Sequence, residues 1–173
     1  MEDTIYVAGI VGDSITDGPG LRLAIFMQGC DKDCAGCHNQ SARPRKGGTP
    51  YTVPELMAEL KKNPLLTGVT FSGGEPLLQA KALVPLAREV KDAGYDLAVF
   101  SGYTLEDILA RGNKYEIELL SLADTLVDGP FILEQRDLSL LFRGSGNQRI
   151  LDSRLSLQKK APRQQADPAW TGK

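Results

Sequence analysis

Only three cysteines, one histidine and one tryptophan occur among 173 residues. Three cysteines cannot all pair, and no charged-then-apolar leader suggests export to an oxidising compartment, so a disulfide framework is disfavoured. No apolar run approaches the roughly 20 residues needed to span a bilayer, which argues against a membrane partner. Charge of one sign is also lacking. With 20 basic and 22 acidic residues the net charge is -2, so no global field favours nucleic acid. The expectation is a soluble, cytoplasmic chain of ordinary composition, 42% hydrophobic and 24% charged, with one core.

The few cysteines are concentrated. Cys30, Cys34 and Cys37 give the spacing C-x3-C-x2-C in a stretch whose Gly29, Asp31, Asp33 and Gly36 suit a loop better than a helix or strand. Three thiolates so close together can wrap one small inorganic centre. There is no fourth cysteine. A cubane of four irons and four sulfides on three cysteines keeps one iron open to a small molecule. A closed zinc site needs four ligands, and His38, next to Cys37, could complete it only with strain. The missing fourth cysteine also disfavours a plain electron carrier. An exposed cluster would be attacked by oxygen, pointing to anaerobic or protected conditions.

Along the chain, Ile5 to Val11 and Leu21 to Met27 read as strands separated by the turn Asp17-Gly18-Pro19-Gly20. The second strand leads directly into the cysteine loop. Arg43-Pro44-Arg45-Lys46 is a small basic knot, read as a solvated loop. Thr52 and Glu55 match a capping box for a helix running to about Asn63, before Pro64. Gly68 to Ser72 is a buried strand ending at Gly73-Gly74-Glu75-Pro76, where two glycines permit close backbone approach and Glu75 is expected to present a free carboxylate. A helix stripe at Leu83, Leu86, Ala87 and Val90 follows, with Pro85 expected in its first turn. Tyr95 to Phe100 is a strand ending at Ser101. Thr104 caps the next helix, a second spans about Tyr115 to Leu122, and Asp124 to Val127 is a strand ending at Asp128. This alternation predicts a parallel sheet with helical crossovers, too few for a closed eight-unit barrel. A glycine turn between two extended segments occupies 140–151. From Asp152 the apolar periodicity stops, so 152–173 is expected to be a disordered tail, and 1–151 the working domain.

The cysteine spacing followed by Gly73-Gly74-Glu75 resembles the radical S-adenosylmethionine (SAM) enzymes. Asp17-Gly18-Pro19-Gly20, Arg22, Phe26, Gly29-Cys30, Cys34, Cys37 and His38-Asn39 resemble the glycyl-radical-enzyme activating proteins. Ser101-Gly102-Tyr103-Thr104, Val127 to Phe131 and Phe142-Arg143-Gly144-Ser145 to Asn147-Gln148 are most similar to the activating proteins of anaerobic ribonucleoside-triphosphate reductase. Parts of the cysteine loop look equally like pyruvate formate-lyase activating enzymes, and a radical SAM enzyme acting on a small molecule is a further alternative. A zinc-binding interaction module is the non-enzymatic one.

The resemblance implies an α/β fold, a partial, open (β/α) barrel of the radical SAM type with a mainly parallel sheet. It implies a [4Fe-4S] cluster on Cys30, Cys34 and Cys37, and S-adenosyl-L-methionine near Gly73, Gly74 and Glu75, with Ser101, Asp128 and His38 as further contacts. Reductive cleavage of SAM would give a 5′-deoxyadenosyl radical that generates a glycyl radical on the partner reductase. An external reductant such as flavodoxin or ferredoxin is implied as well. One departure stands out: Gly36 occupies the position before the third cysteine where many relatives carry an aromatic residue near the adenine.

Overall fold

The computed structural model describes residues 4–32, 34–37 and 40–172. Among these, seven strands form one sheet. They are β1 (Ile5–Ser14), β2 (Arg22–Met27), β3 (Thr49–Tyr51), β4 (Gly68–Gly73), β5 (Asp96–Phe100), β6 (Thr125–Asp128) and β7 (Arg149–Asp152). Their order across the sheet is β3-β1-β2-β4-β5-β6-β7. The four central strands, β2, β4, β5 and β6, are parallel, as the strand-helix alternation predicts. Antiparallel strands flank them, β1 and β3 on one side and β7 on the other. The sheet is an open α/β arrangement, because the edge strands β3 and β7 do not pair with each other.

Helices α1 (Val53–Lys61), α2 (Ala80–Asp92), α3 (Leu105–Arg111), α4 (Lys114–Leu122) and α5 (Ser153–Lys159) lie between or after the strands. Helices α1, α2, α4 and α5 touch in that sequence, covering one face of the sheet. Helix α1 starts where the sequence places it, since Thr52 Oγ1 accepts from Glu55 N and Glu55 returns the bond to Thr52 N. Thr104 and Asp107 form the same box at α3. The main core lies between this helical layer and the sheet: Leu23, Ile25, Val69, Phe71, Leu97 and Val99 meet Leu83, Leu86, Val90 and Leu119, all at most 1% exposed. Helix α2 begins at Ala80, so Pro85 is inside it rather than in its first turn. Pro85 faces solvent, where a carbonyl deprived of its N–H partner can be hydrated.

The opposite face of the sheet combines buried polar groups with a smaller apolar cluster. Arg22, Thr70 and Ala98 lie there, at most 1% exposed. Arg22 is a structural hub: its Nε donates to Thr70 Oγ1 at 2.8 Å, Nη1 to Pro19 O at 3.1 Å, and Nη2 to Val69 O at 3.0 Å and Asp96 Oδ2 at 2.7 Å. Thr70 Oγ1 in turn donates to Asp17 O at 2.7 Å, fastening the Asp17-to-Gly20 turn across this face.

The tail is where the structure differs most from the sequence reading. Residues 153–172 are ordered as α5, a return segment whose Gln164 bridges Leu151, and a last turn, α6 (Pro168–Thr171). Trp170 is 1% exposed, against Ala98, Val127, Phe100 and Phe142. The missing apolar period has a physical reason: buried serines and one aromatic anchor the segment. Ser153 Oγ donates to Leu120 O at 2.6 Å, and Ser156 Oγ accepts from Arg163 N at 2.9 Å.

Among the described residues, no helix is long and apolar enough to cross a membrane.

Candidate functional site

The carboxyl ends of parallel strands are where an open α/β sheet leaves a crevice. Here the ends of β2, β4, β5 and β6 release the cysteine loop, Gly73-Gly74-Glu75, Ser101-Gly102 and Gly129-Pro130-Phe131. A cavity of about 380 Å³ opens between them, lined by Cys30, Cys34, Cys37, Glu75 and Ser101 among others.

The cysteine loop is held at its base by backbone. Gly29 N donates to Ala42 O at 2.6 Å and Cys30 N to Arg43 O at 3.0 Å, while Gln28 Nε2 reaches Pro44 O at 2.8 Å. Thus the basic knot forms the return side of the loop. Cys37 N donates to Cys34 O at 3.2 Å, closing a turn, and Lys32 N points at Cys30 Sγ at 3.4 Å. All three thiols are free and half-buried. Burial pushes the Cys30 thiol up from its ordinary value, against the Lys32 N–H, which lowers it.

Among the described residues, no group of three His, Cys, Asp or Glu side chains is arranged to hold a metal ion. The three thiols are instead separate wall groups of a cavity with room for a body larger than a single ion. That donor set, thiolates only and open on one side, suits an iron-sulfur cubane with one iron left to a ligand. His38 lies outside the described residues.

Gly73 and Gly74 do approach another backbone closely, but it is the protein's own. A Cβ on Gly73 would meet Met27 N at 2.3 Å, and one on Gly74 would meet Gly29 O at 2.2 Å. Glu75 N then donates to Gly29 O at 2.7 Å. The two glycines therefore dock the end of β4 against the start of the cysteine loop, fixing Glu75 relative to the thiols.

Glu75 is 1% exposed, and its carboxylate is not free as the sequence suggests. It accepts from Gly102 N at 2.7 Å, Leu77 N at 3.1 Å and Ser101 Oγ at 3.0 Å. Burial pushes its pKa up to about 7, and the hydrogen bonds only partly counter that. A cation entering the cavity would stabilise the ionised form. Ser101, 5% exposed, thus acts on this carboxylate from the end of β5.

In the cluster-free protein, Glu75 is protonated in the fold but ionised in the unfolded chain between about pH 4.5 and about 7. Its contribution to stability is therefore full below the lower limit and lost as pH rises through the upper one. Wild type is expected to lose stability relative to Glu75→Gln between about pH 5 and about pH 7.5, read as urea midpoints. Parallel pH profiles would refute the assignment.

Asp128 does not line the cavity. It is fully buried, accepts from Leu105 N at 2.7 Å, and pairs with Arg149, whose Nε is 3.0 Å from Oδ1. Arg149 also pairs with Glu106. As part of a strand-end clamp joining β6, α3 and β7, Asp128 engages both carboxylate oxygens with Leu105 N and Arg149. The structure thus places it outside the cavity lining, apart from the expected position beside the cofactor.

Composition gave little sign of two other features. Tyr103 braces the start of the cysteine loop from outside the cavity lining: its hydroxyl bonds Asp31, and its ring centroid lies 4.4 Å from the Lys32 ammonium and 4.0 Å from the Arg111 guanidinium. A further cavity wall is the segment after β6. Gly36, at φ +75°, has no side chain, and Phe131 and Leu133 fill that place: a Cβ there would lie 3.3 Å from Phe131 Cε1 and 2.9 Å from Leu133 Cδ1. The aromatic absent before Cys37 is thus supplied from a different loop. The missing Cβ at Gly36 was the available signal, but sequence alone does not say which ring would occupy the space.

Residues 16–151 match the family model described as a 4Fe-4S single cluster domain, which spans both the cysteine loop and the cavity's other walls. An anaerobic ribonucleoside-triphosphate reductase-activating protein from Vibrio cholerae serotype O1 is 37% identical over 144 residues, covering 79% of this chain and 90% of its own. The protein of the same name from Escherichia coli K12 is 32% identical over 142 residues, 78% of this chain and 90% of its own. The crystal structure of QueE from Escherichia coli overlaps 58% of this chain and 54% of its own at 17% identity, with a TM-score of 0.48. The chain belongs to the anaerobic ribonucleoside-triphosphate reductase-activating protein family.

Proposed function

We propose that this chain is a radical SAM enzyme that activates an anaerobic ribonucleoside-triphosphate reductase by generating a glycyl radical in it. The observation that carries the reading is the joining, in one cavity, of three free thiols from one loop with Glu75 and Ser101 from the neighbouring strand ends, in a chain of this family. Cys30, Cys34 and Cys37 hold the [4Fe-4S] cluster. When bound and reduced, the cluster would supply the electron for cleaving S-adenosylmethionine, the chemistry by which a hydrogen atom would be taken from a glycine of the partner.

The chain's own residues position and shield. Gly73 and Gly74 lock the end of β4 to the cysteine loop, so the Glu75 carboxylate stands at a fixed place beside the thiols and favours the ammonium of the bound cofactor. Ser101 and Gly102 hold that carboxylate in one orientation. Phe131, in the cavity wall, narrows water's access. The electron comes from an external reductant such as flavodoxin or ferredoxin.

The test is anaerobic reconstitution with iron and sulfide, then reduction with SAM present. Methionine and 5′-deoxyadenosine should form in equal amounts, and a glycyl radical signal should appear on adding the reductase encoded by the same organism. Stoichiometric zinc with no sulfide and no SAM cleavage would refute the reading in favour of an interaction module.

A further inference from the structure

The cavity has a floor that favours a cation, the buried Glu75 carboxylate, and a roof formed by the segment between β6 and β7. The roof carries Arg143. Its Nη1 donates to Gln148 O at 3.0 Å, but its Nε is buried and without a hydrogen-bond partner, the single such side-chain nitrogen or oxygen among the described residues. Leaving a buried donor unmade is costly, and a group of this kind calls for a partner.

The roof is rigid enough for that partner to be specific. Gln148 Oε1 accepts from Gly144 N at 2.9 Å and Ser145 N at 3.1 Å, and its Nε2 donates to Gly129 O at 3.1 Å. Asn147 Nδ2 donates to Pro130 O at 2.8 Å. Arg143 is therefore fixed relative to the end of β6 before any ligand arrives.

Among the described residues, none accepts from the Arg143 Nε. Asp137, which lines the same cavity, feels the Arg143 charge, but its carboxylate is committed chiefly to Ser139, whose hydroxyl and N–H hold it below the usual carboxylate range. Of the other cations on the wall, Lys32 stands over the Tyr103 ring and Arg43 donates to Gln40 Oε1 at 2.8 Å. An anion-seeking roof and a cation-seeking floor in one cavity match a ligand carrying both charges, an amino acid zwitterion.

We propose that the Arg143 guanidinium receives the α-carboxylate of S-adenosylmethionine. This rests on the functional reading above and extends it to a residue that orients the cofactor. A planar guanidinium donates to a carboxylate from more than one nitrogen, so the contact fixes direction as well as charge.

The experiment measures binding, not turnover. Reconstituted wild type and Arg143→Gln, each with its iron content determined, are titrated by anaerobic equilibrium dialysis with SAM and with decarboxylated SAM. Wild type should prefer SAM. Arg143→Gln should lose about ten-fold or more in SAM affinity, the size of one charge-assisted hydrogen bond, and bind the decarboxylated analogue as wild type does. If the variant takes up too little iron, Arg143→Met, which removes the charge without leaving a polar group to bury, is read in the same way. Unchanged SAM affinity in an iron-loaded variant overturns the proposal, and so does an equal loss for both ligands, which would assign Arg143 to the adenosine side or to the roof itself. Iron-loaded wild type that binds no SAM would overturn the functional reading along with it, an outcome distinct from the other two.

Discussion

Cys34→Ala is expected to hold far less iron than wild type and to form no 5′-deoxyadenosine above background. The effect should be close to total, because two thiolates rarely retain a cubane. The structure also says what the substitution should leave alone. Cys34 contributes to the loop's turn through its backbone carbonyl, which accepts from Cys37 N, and alanine keeps that carbonyl. The base of the loop is tied by Gly29, Cys30 and Gln28 to the segment after it. Thermal stability of the cluster-free variant should therefore stay within about 1 kcal/mol of cluster-free wild type, as for other half-exposed substitutions. Iron content and melting temperature, measured on the same preparation, separate loss of a ligand from loss of the fold. Wild-type iron and wild-type SAM cleavage in the variant would remove Cys34 from the site.

The cysteine loop and the parallel centre of the sheet were legible because each rests on local pattern. Spacing alone groups Cys30, Cys34 and Cys37, and regular alternation of apolar segments gives β2, β4, β5 and β6 with their intervening helices. Caps such as Thr52 with Glu55 were readable for the same reason, since donor and acceptor lie three residues apart. What was not legible depends on distant partners. Glu75 looked free in sequence, yet donors from Ser101 and Gly102, on the next strand's end, take its oxygens. Asp128 looked like a cavity residue because it ends a strand, but its partner Arg149 comes from a strand that runs the other way. The two glycines before Glu75 suggested a ligand, whereas the nearest atoms belong to Met27 and Gly29.

Trp170 carries the same lesson into a measurable energy. Periodicity fails after Asp152, but a segment can be fixed by one large side chain if the rest of the chain has left a hole for it. The hole lies on the face of the sheet away from the main helical layer. There the Trp170 ring meets Phe142 edge-on at 5.3 Å and Phe100 at 6.4 Å between centroids, and Arg22 Cζ lies 5.7 Å from it. Gly18 lies close enough that a Cβ would come within 3.0 Å of the indole. Trp170→Ala should therefore cost about 3–5 kcal/mol, the range for removing a buried aromatic, and lower the melting temperature by roughly 10 °C or more. Leu155→Ala serves as the control in the same tail: that side chain is 37% exposed and should change stability by well under half as much. Phe142 links this anchor to function, because it touches Trp170 on one side and lines the cavity beside Arg143. Loss of the indole should thus also weaken SAM binding in iron-loaded protein, whereas a tail that merely trails from the domain would leave both the melting temperature and the affinity unchanged.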